Sequence, residues 1–231
     1  MNIAVILAGG AGKRLGDSLP KQFLEVAGRK IIEHTIEAFE KNKKIDEIVI
    51  VSNPSYIANV QQIIVDNQWN KVKQILNGGK ERYDSSLAAI TAYKENNDDT
   101  NIIFHDAVRP LVSQTIINNC IQALESHQAI TVAIPTTDTI IITNKQNTID
   151  KVLDRTILYN VQTPQCFKLG IIKQAYSVAL KDPNFETTDD CGVVIKYLPE
   201  TPIHIVQGDT RNIKITYKTD IQIMEEFCKD I

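Results

Sequence analysis

A chain of 231 residues with 43% hydrophobic side chains is long enough to bury one sizeable core. Its formal net charge of −3 leaves no basic excess to neutralise a phosphate backbone, so a general nucleic-acid binder is not expected. No apolar stretch approaches the roughly 20 residues of a membrane-spanning helix, and the four cysteines have neither disulfide-framework density nor metal-ligand spacing.

The chain enters a strand at once, over Ile3–Leu7, with no basic and apolar leader ahead of it, so a cytoplasmic protein is expected. Further strands are expected at Glu47–Ser52, Lys73–Leu76, Asn101–His105 and Ala129–Ile134. Helical spacing fills the gaps, over Ile31–Lys41, Ser55–Asn67, Asp84–Glu95 and Ser113–Glu125. The last places Ile117, Cys120, Ile121 and Leu124 on one face behind a Ser113 N-cap. This alternation implies an α/β fold: a mostly parallel sheet with helices on both faces.

Near Pro135 the alternation stops. Two short β-like runs, Thr139–Thr143 and Thr148–Leu153, flank the polar turn Asn144-Lys145-Gln146-Asn147 and read as an inserted hairpin. Such a hairpin is marginal alone and should pack on something, with a second subunit the natural candidate. A helix over Leu169–Leu180, a strand near Ile203–Val206 and a helix from about Lys218 follow. The chain is expected to form one domain, 1–231, with 135–158 as the inserted β-arm.

The first strand runs into Ala8-Gly9-Gly10-Ala11-Gly12-Lys13-Arg14-Leu15, followed by Leu19-Pro20-Lys21-Gln22-Phe23. Glycines let backbone N–H groups approach a ligand, and with Arg14 and Lys21 they suit several anionic oxygens. It is not a Walker A loop, since Leu7 stands at the first glycine position and Arg14 follows Gly12-Lys13. A dinucleotide fingerprint is likewise broken at Leu15, which disfavours a nicotinamide-dependent dehydrogenase. Asp106, at the end of the fourth strand and beside a triphosphate site, is placed to hold a divalent cation such as Mg²⁺. Its neighbour His105 is read as a packed histidine, the commoner role of a lone histidine.

The run Leu7-Ala8-Gly9-Gly10-x-Gly12-x-Arg14 with Pro20-Lys21-Gln22-Phe23-Leu24 resembles the methylerythritol-phosphate and ribitol-phosphate cytidylyltransferases. Four more segments resemble that family in order: Gly78-Gly79-x-x-Arg82-x-Asp84-Ser85, Asp106-Ala107-Val108-Arg109-Pro110, Asp138-Thr139 with Arg155 and Gln162-Thr163-Pro164-Gln165, and Asn212-Ile213-Lys214-x-Thr216. The resemblance implies a Rossmann-like nucleotidyltransferase fold, CTP as co-substrate, a small-molecule polyol phosphate as acceptor and a homodimer joined through the arm. It implies that Arg14 and Lys21 stabilise the transition state, with Arg155 and Lys214 completing the catalytic set. The nucleotide would be held by Leu7, Ala8, Gly9, Gly10, Gly78, Gly79, Arg82, Asp84, Ser85, Asp106 and Ala107. The acceptor would be held by Arg109, Thr139, Arg155, Thr163 and Lys214. Thr188-Asp189-Asp190 resembles another segment of the site, with no role attached.

Three features point to D-ribitol 5-phosphate as acceptor: Leu7-Ala8-Gly9-Gly10 where Ala-Ala-Gly is usual, Ile141 where the methylerythritol enzymes carry Lys, and the Asp106–Pro110 form. The alternative is 2-C-methyl-D-erythritol 4-phosphate. A protein that binds a cytidine nucleotide without turnover is the alternative of another class, and it would have no need of four transition-state cations.

Overall fold

Alternate residues of the first strand, β1 (Asn2–Ala8), divide between two cores, as the two-residue period of a strand requires. Ala4 and Ile6 face one core with Ile48, Ile50 and Ile103; Ile3 and Val5 face the other with Val49, Val51 and Phe104. The computed structural model describes residues 1–10 and 19–229.

After β1 a small hairpin, β2 (Glu25–Val26) and β3 (Arg29–Lys30), leads into α1 (Ile31–Glu40). Next come β4 (Glu47–Ser52), α2 (Ile57–Asn67), β5 (Val72–Asn77), α3 (Arg82–Ala92), β6 (Asn101–Asp106), α4 (Gln114–Ala123) and β7 (Ala129–Pro135). The arm holds β8 (Ile141–Thr143) and β9 (Ile149–Val152). The chain ends with β10 (Tyr159–Lys168), α5 (Leu169–Ala179), α6 (Asp190–Tyr197), β11 (Ile203–Gln207) and α7 (Lys218–Cys228).

Among the described residues seven strands form one sheet in the order β11-β7-β10-β6-β1-β4-β5. β1 pairs in parallel with β4 and with β6, β4 with β5, and β7 with β11. β10 runs antiparallel between β6 and β7. Helices α1, α2 and α4 cover one face, and α3, α5 and α6 the other. The expected α/β architecture, a mostly parallel sheet with helices on both faces, is therefore present.

The small β2–β3 hairpin was not expected, and three further elements differ from expectation. β10 was not anticipated, because Pro164 inside it cannot donate to a ladder and such a residue argues against a central strand. Its pairing with β7 shifts register between Val161 and Gln165, which accommodates that proline. α6 has only eight residues, with Gly192 inside, too little for a periodic signal. α3 begins at Arg82 rather than Asp84, and Asp84 accepts the Glu81 N–H at 2.9 Å from within the first turn.

The side on which strands are added reverses at β1, since β4 lies on one side of it and β6 on the other. Ligands of such sheets bind beyond the carboxyl ends of the strands at that point. Gly9, Asn53, Gly78 and Asp106 all stand there. A third, smaller core of Val26, Ile31, Val108, Ile215 and Met224 lies beneath the segment carrying Lys214. No helix among the described residues is long and apolar enough to cross a membrane.

Candidate active site

A cleft of about 750 Å³ opens at the carboxyl ends of β1, β4, β5 and β6. Its walls are Leu7–Gly10 and Lys21, Gln22, Asn53 and Pro54, Gly78–Arg82 with Ser85, Asp106–Val108, and Lys214. Sequence segments separated by most of the chain therefore meet in one concavity.

The loop after β1 is held by an amide. Gln22, only 2% exposed, donates from Nε2 to the carbonyls of Ala8 at 2.9 Å and Gly10 at 3.2 Å. Those two bonds turn the carbonyls of Ala8 and Gly10 toward Gln22. Lys21, at the start of the same 3₁₀ turn, donates from Nζ to the carbonyl of Ile215 at 2.8 Å. The opposite wall needs bare backbone. A Cβ on Gly78 would lie 2.9 Å from Ser85 Oγ and one on Gly79 would lie 2.3 Å from Asp84 Cβ. Any side chain at Gly79 would displace the first turn of α3.

Asp106 collects cations. Lys214 Nζ lies 2.8 Å from its carboxylate and Arg109 Nε 3.6 Å. Burial disfavours the carboxylate, yet Lys214, Arg82 and Arg109 outweigh it and hold the group well below the usual carboxylate range. Behind Asp106, His105 is wholly buried. Its Nε2 lies 3.0 Å from the Arg109 carbonyl, which can only accept, so Nε2 carries the proton. Nδ1 then accepts from the Thr163 hydroxyl at 3.0 Å, and that oxygen accepts the Asp106 N–H at 3.1 Å. Burial pushes the His105 imidazole down to about 4.

The Lys214 segment is tied down from below. Asn212, fully buried, donates to Gln162 Oε1 and to the Thr163 carbonyl, and its own carbonyl accepts from Arg109 Nη1 at 2.8 Å. Ile215 N–H donates to the Val108 carbonyl. Burying Ile215 contributes about 2 kcal/mol toward seating this segment.

Of the expected site residues, Leu7, Ala8, Gly9, Gly10, Lys21, Gly78, Gly79, Arg82, Ser85, Asp106, Ala107 and Lys214 line the cleft. Arg109 and Thr163 are buried directly behind Asp106; Arg109 Nη1 donates to the Asn212 carbonyl and the Thr163 hydroxyl bonds His105 and the Asp106 N–H. Asp84 serves the start of α3. Arg155 and Thr139 lie exposed on the arm, and Arg155 Nη1 is 3.4 Å from the Thr137 carbonyl. Arg14 lies outside the described residues. Among the described residues, no three His, Cys, Asp or Glu side chains gather as a metal site. The sequence reading missed Gln22, Asn212 and Asp190. Each sat inside a motif, but a buried amide or acid facing the protein leaves no mark distinct from one facing solvent.

The family model described as IspD, 2-C-methyl-D-erythritol 4-phosphate cytidylyltransferase, matches residues 2–230. The chain belongs to this family. A 2-C-methyl-D-erythritol 4-phosphate cytidylyltransferase of Thermobifida fusca is 42% identical over 98% of this chain and 92% of its own length. A bifunctional ribulose 5-phosphate reductase/CDP-ribitol pyrophosphorylase of Haemophilus influenzae is 44% identical over 97% of this chain, which spans 48% of that protein. The crystal structure of the 4-diphosphocytidyl-2C-methyl-D-erythritol synthase from Anaerococcus prevotii superposes with a TM-score of 0.86 at 28% identity, covering 99% of this chain and 98% of that one. This IspD-family chain is a CTP-dependent cytidylyltransferase, an enzyme of the nucleotidyltransferase class. The reading as a binding protein without turnover falls away.

Proposed function

We propose that the enzyme transfers the cytidylyl group of CTP directly to a polyol phosphate. An oxygen of the acceptor phosphate forms a bond to the α-phosphorus while the bond from that phosphorus to the bridging oxygen of the β-phosphate breaks. The products are a CDP-polyol and pyrophosphate. The observation carrying this reading is the single cleft in which the Leu7–Gly10 loop, Lys21, Arg82, Asp106 and Lys214 converge. Fixed cations aimed at charge that develops on phosphorus oxygens lower the barrier most. Among the described residues, no Ser or Cys lining the cleft is paired with a base as an activated nucleophile would be.

For the acceptor, the family model and the Thermobifida relative favour 2-C-methyl-D-erythritol 4-phosphate. This reading takes precedence over the ribitol 5-phosphate suggested by the sequence departures. Ribitol 5-phosphate stays as a second reading on one observation, the CDP-ribitol relative at 44% identity. Pyrophosphate release from CTP, measured with each acceptor in turn, tests both. A kcat/KM at least about tenfold higher for one acceptor names the substrate. Activity with neither removes both readings.

Mg²⁺ fits Asp106. Mg²⁺ is commonly bound by one or two carboxylates with substrate phosphates and water, and Asp106 offers one ionised carboxylate in the cleft wall. Bound there with CTP, it would neutralise charge on the departing pyrophosphate. The arm supports a homodimer. Ile140, Ile141, Ile142, Ile149, Val152 and Ile157 are all exposed on it, and a face of that kind suits a second copy of the chain. In that dimer, Arg155 and Thr139 would serve the acceptor phosphate across the interface.

A further inference from the structure

Beneath the wall formed by Arg82, three segments of the chain join through one buried carboxylate. Arg82 Nη1 donates to Asp190 Oδ2 at 2.6 Å, and the Tyr176 hydroxyl donates to Oδ1 at 2.6 Å. The Asp190 N–H donates to Gln165 Oε1 at 3.1 Å, and Gln165 Nε2 donates to Asp189 Oδ2 at 2.6 Å. The other oxygen of Asp189 accepts the Gly192 N–H at 2.8 Å and so caps α6. Asp190 has no exposed side-chain surface, whereas 26% of Arg82 is exposed and it lines the cleft. Arg82 Nη2 is enclosed and has no hydrogen-bond partner among the described residues.

A buried ion pair is weak evidence for stability, because desolvating both charges offsets their attraction. Here the carboxylate is held from behind by Tyr176, and the exposed quarter of the Arg82 side chain lines the cleft. An arginine so fixed presents its charge there with little rotamer entropy left to lose when a ligand arrives.

We propose that Asp190 is a positioning residue for CTP binding, which it assists by holding Arg82 rigid in the cleft wall with its charge on the nucleotide's side. Tyr176 and Gln165 in turn fix Asp190 by its oxygen and its backbone. This assignment deepens the CTP reading of the cleft and rests on it.

The test is CTP binding by calorimetry together with steady-state kinetics of Asp190→Asn, Arg82→Gln and the double variant, with folding followed by circular dichroism. Asp190→Asn should weaken CTP binding at least about tenfold and raise KM for CTP, while KM for the acceptor stays within about twofold. If Asp190 acts through Arg82, the double variant binds CTP no more weakly than Arg82→Gln alone. Multiplying losses, or CTP affinity of Asp190→Asn within about twofold of wild type, overturn the proposal. Should Asp190→Asn fail to fold, Tyr176→Phe is read instead, with a loss of at least about threefold in CTP affinity expected and an unchanged affinity overturning it. Wild-type protein that does not bind CTP would remove the reading of the cleft itself, a result distinct from variants that match wild type.

Discussion

Lys21 touches both the glycine loop side of the cleft and the segment bearing Lys214, so its loss should be felt in catalysis more than in binding. Lys21→Ala and Arg14→Ala are each expected to lower kcat with little change in CTP affinity, at a cost of about 3 kcal/mol or more in transition-state stabilisation. Near-normal turnover in either variant would remove that residue from the catalytic set. Gln22→Leu should act differently. It leaves the Ala8 and Gly10 carbonyls without their donor, which costs about 1–3 kcal/mol each when buried. We expect a raised KM for CTP and a lowered melting temperature together, and an unaltered KM would show that the loop holds its shape unaided. At this scale the sequence was informative about residues that meet ligands, because glycines and cations cluster in motifs around anion sites. It was silent on residues that hold them. Gln22 and Asp190 act inward, and only the fold reveals which way a polar side chain faces.

The elements of the sheet were legible where strands are buried on both faces and read as apolar runs, as in Ile3–Leu7 and Glu47–Ser52. β10 was not, since its polar and proline-bearing centre, Gln162-Thr163-Pro164-Gln165, spends its side chains on neighbours rather than on a core. The arm was legible as a hairpin, and what it lacks inside one subunit is a surface to cover its isoleucines. The residue proposed to give it a function is Arg155. Arg155→Lys should already impair use of the acceptor while CTP affinity persists, because an ammonium cannot reproduce the two parallel bonds of a guanidinium to phosphate. Mixing Arg155→Ala with Lys21→Ala subunits should restore part of the activity if the arm serves the partner's cleft. Verified mixed dimers without activity would place Arg155 in the site of its own subunit.

For the molecule as a whole, His105 sets a direction for acid sensitivity. Its value in the folded protein, about 4, lies below that of an unfolded histidine. Above about pH 6.5 neither state binds the proton and stability is complete. As pH falls from there, the unfolded chain gains a proton that the folded one refuses, and stability falls until about pH 4. Between about pH 7 and pH 5 the loss should be about 2 kcal/mol in urea unfolding, and His105→Gln should flatten that slope. Below about pH 4 Asp106 adds a second loss, because the unfolded carboxylate then takes up a proton that the folded one, held by its cations, refuses. A wild-type profile flat over that span would contradict the buried, neutral imidazole. The proposed dimer is tested at the same scale by light scattering, and a stable, active monomer at micromolar concentration would refute it. One bond described above also has a bearing on the newborn chain. Lys21 is anchored to Ile215, 194 residues later. At about 5–20 residues per second on the ribosome, roughly 10–40 s separate the two. A nascent chain that has reached Gln207 already contains every strand of the large sheet but neither Lys214 nor the carbonyl that holds Lys21. An unfinished chain that holds the whole sheet therefore still lacks Lys214 and the anchor of Lys21, and is expected to leave CTP unused until those last residues are added.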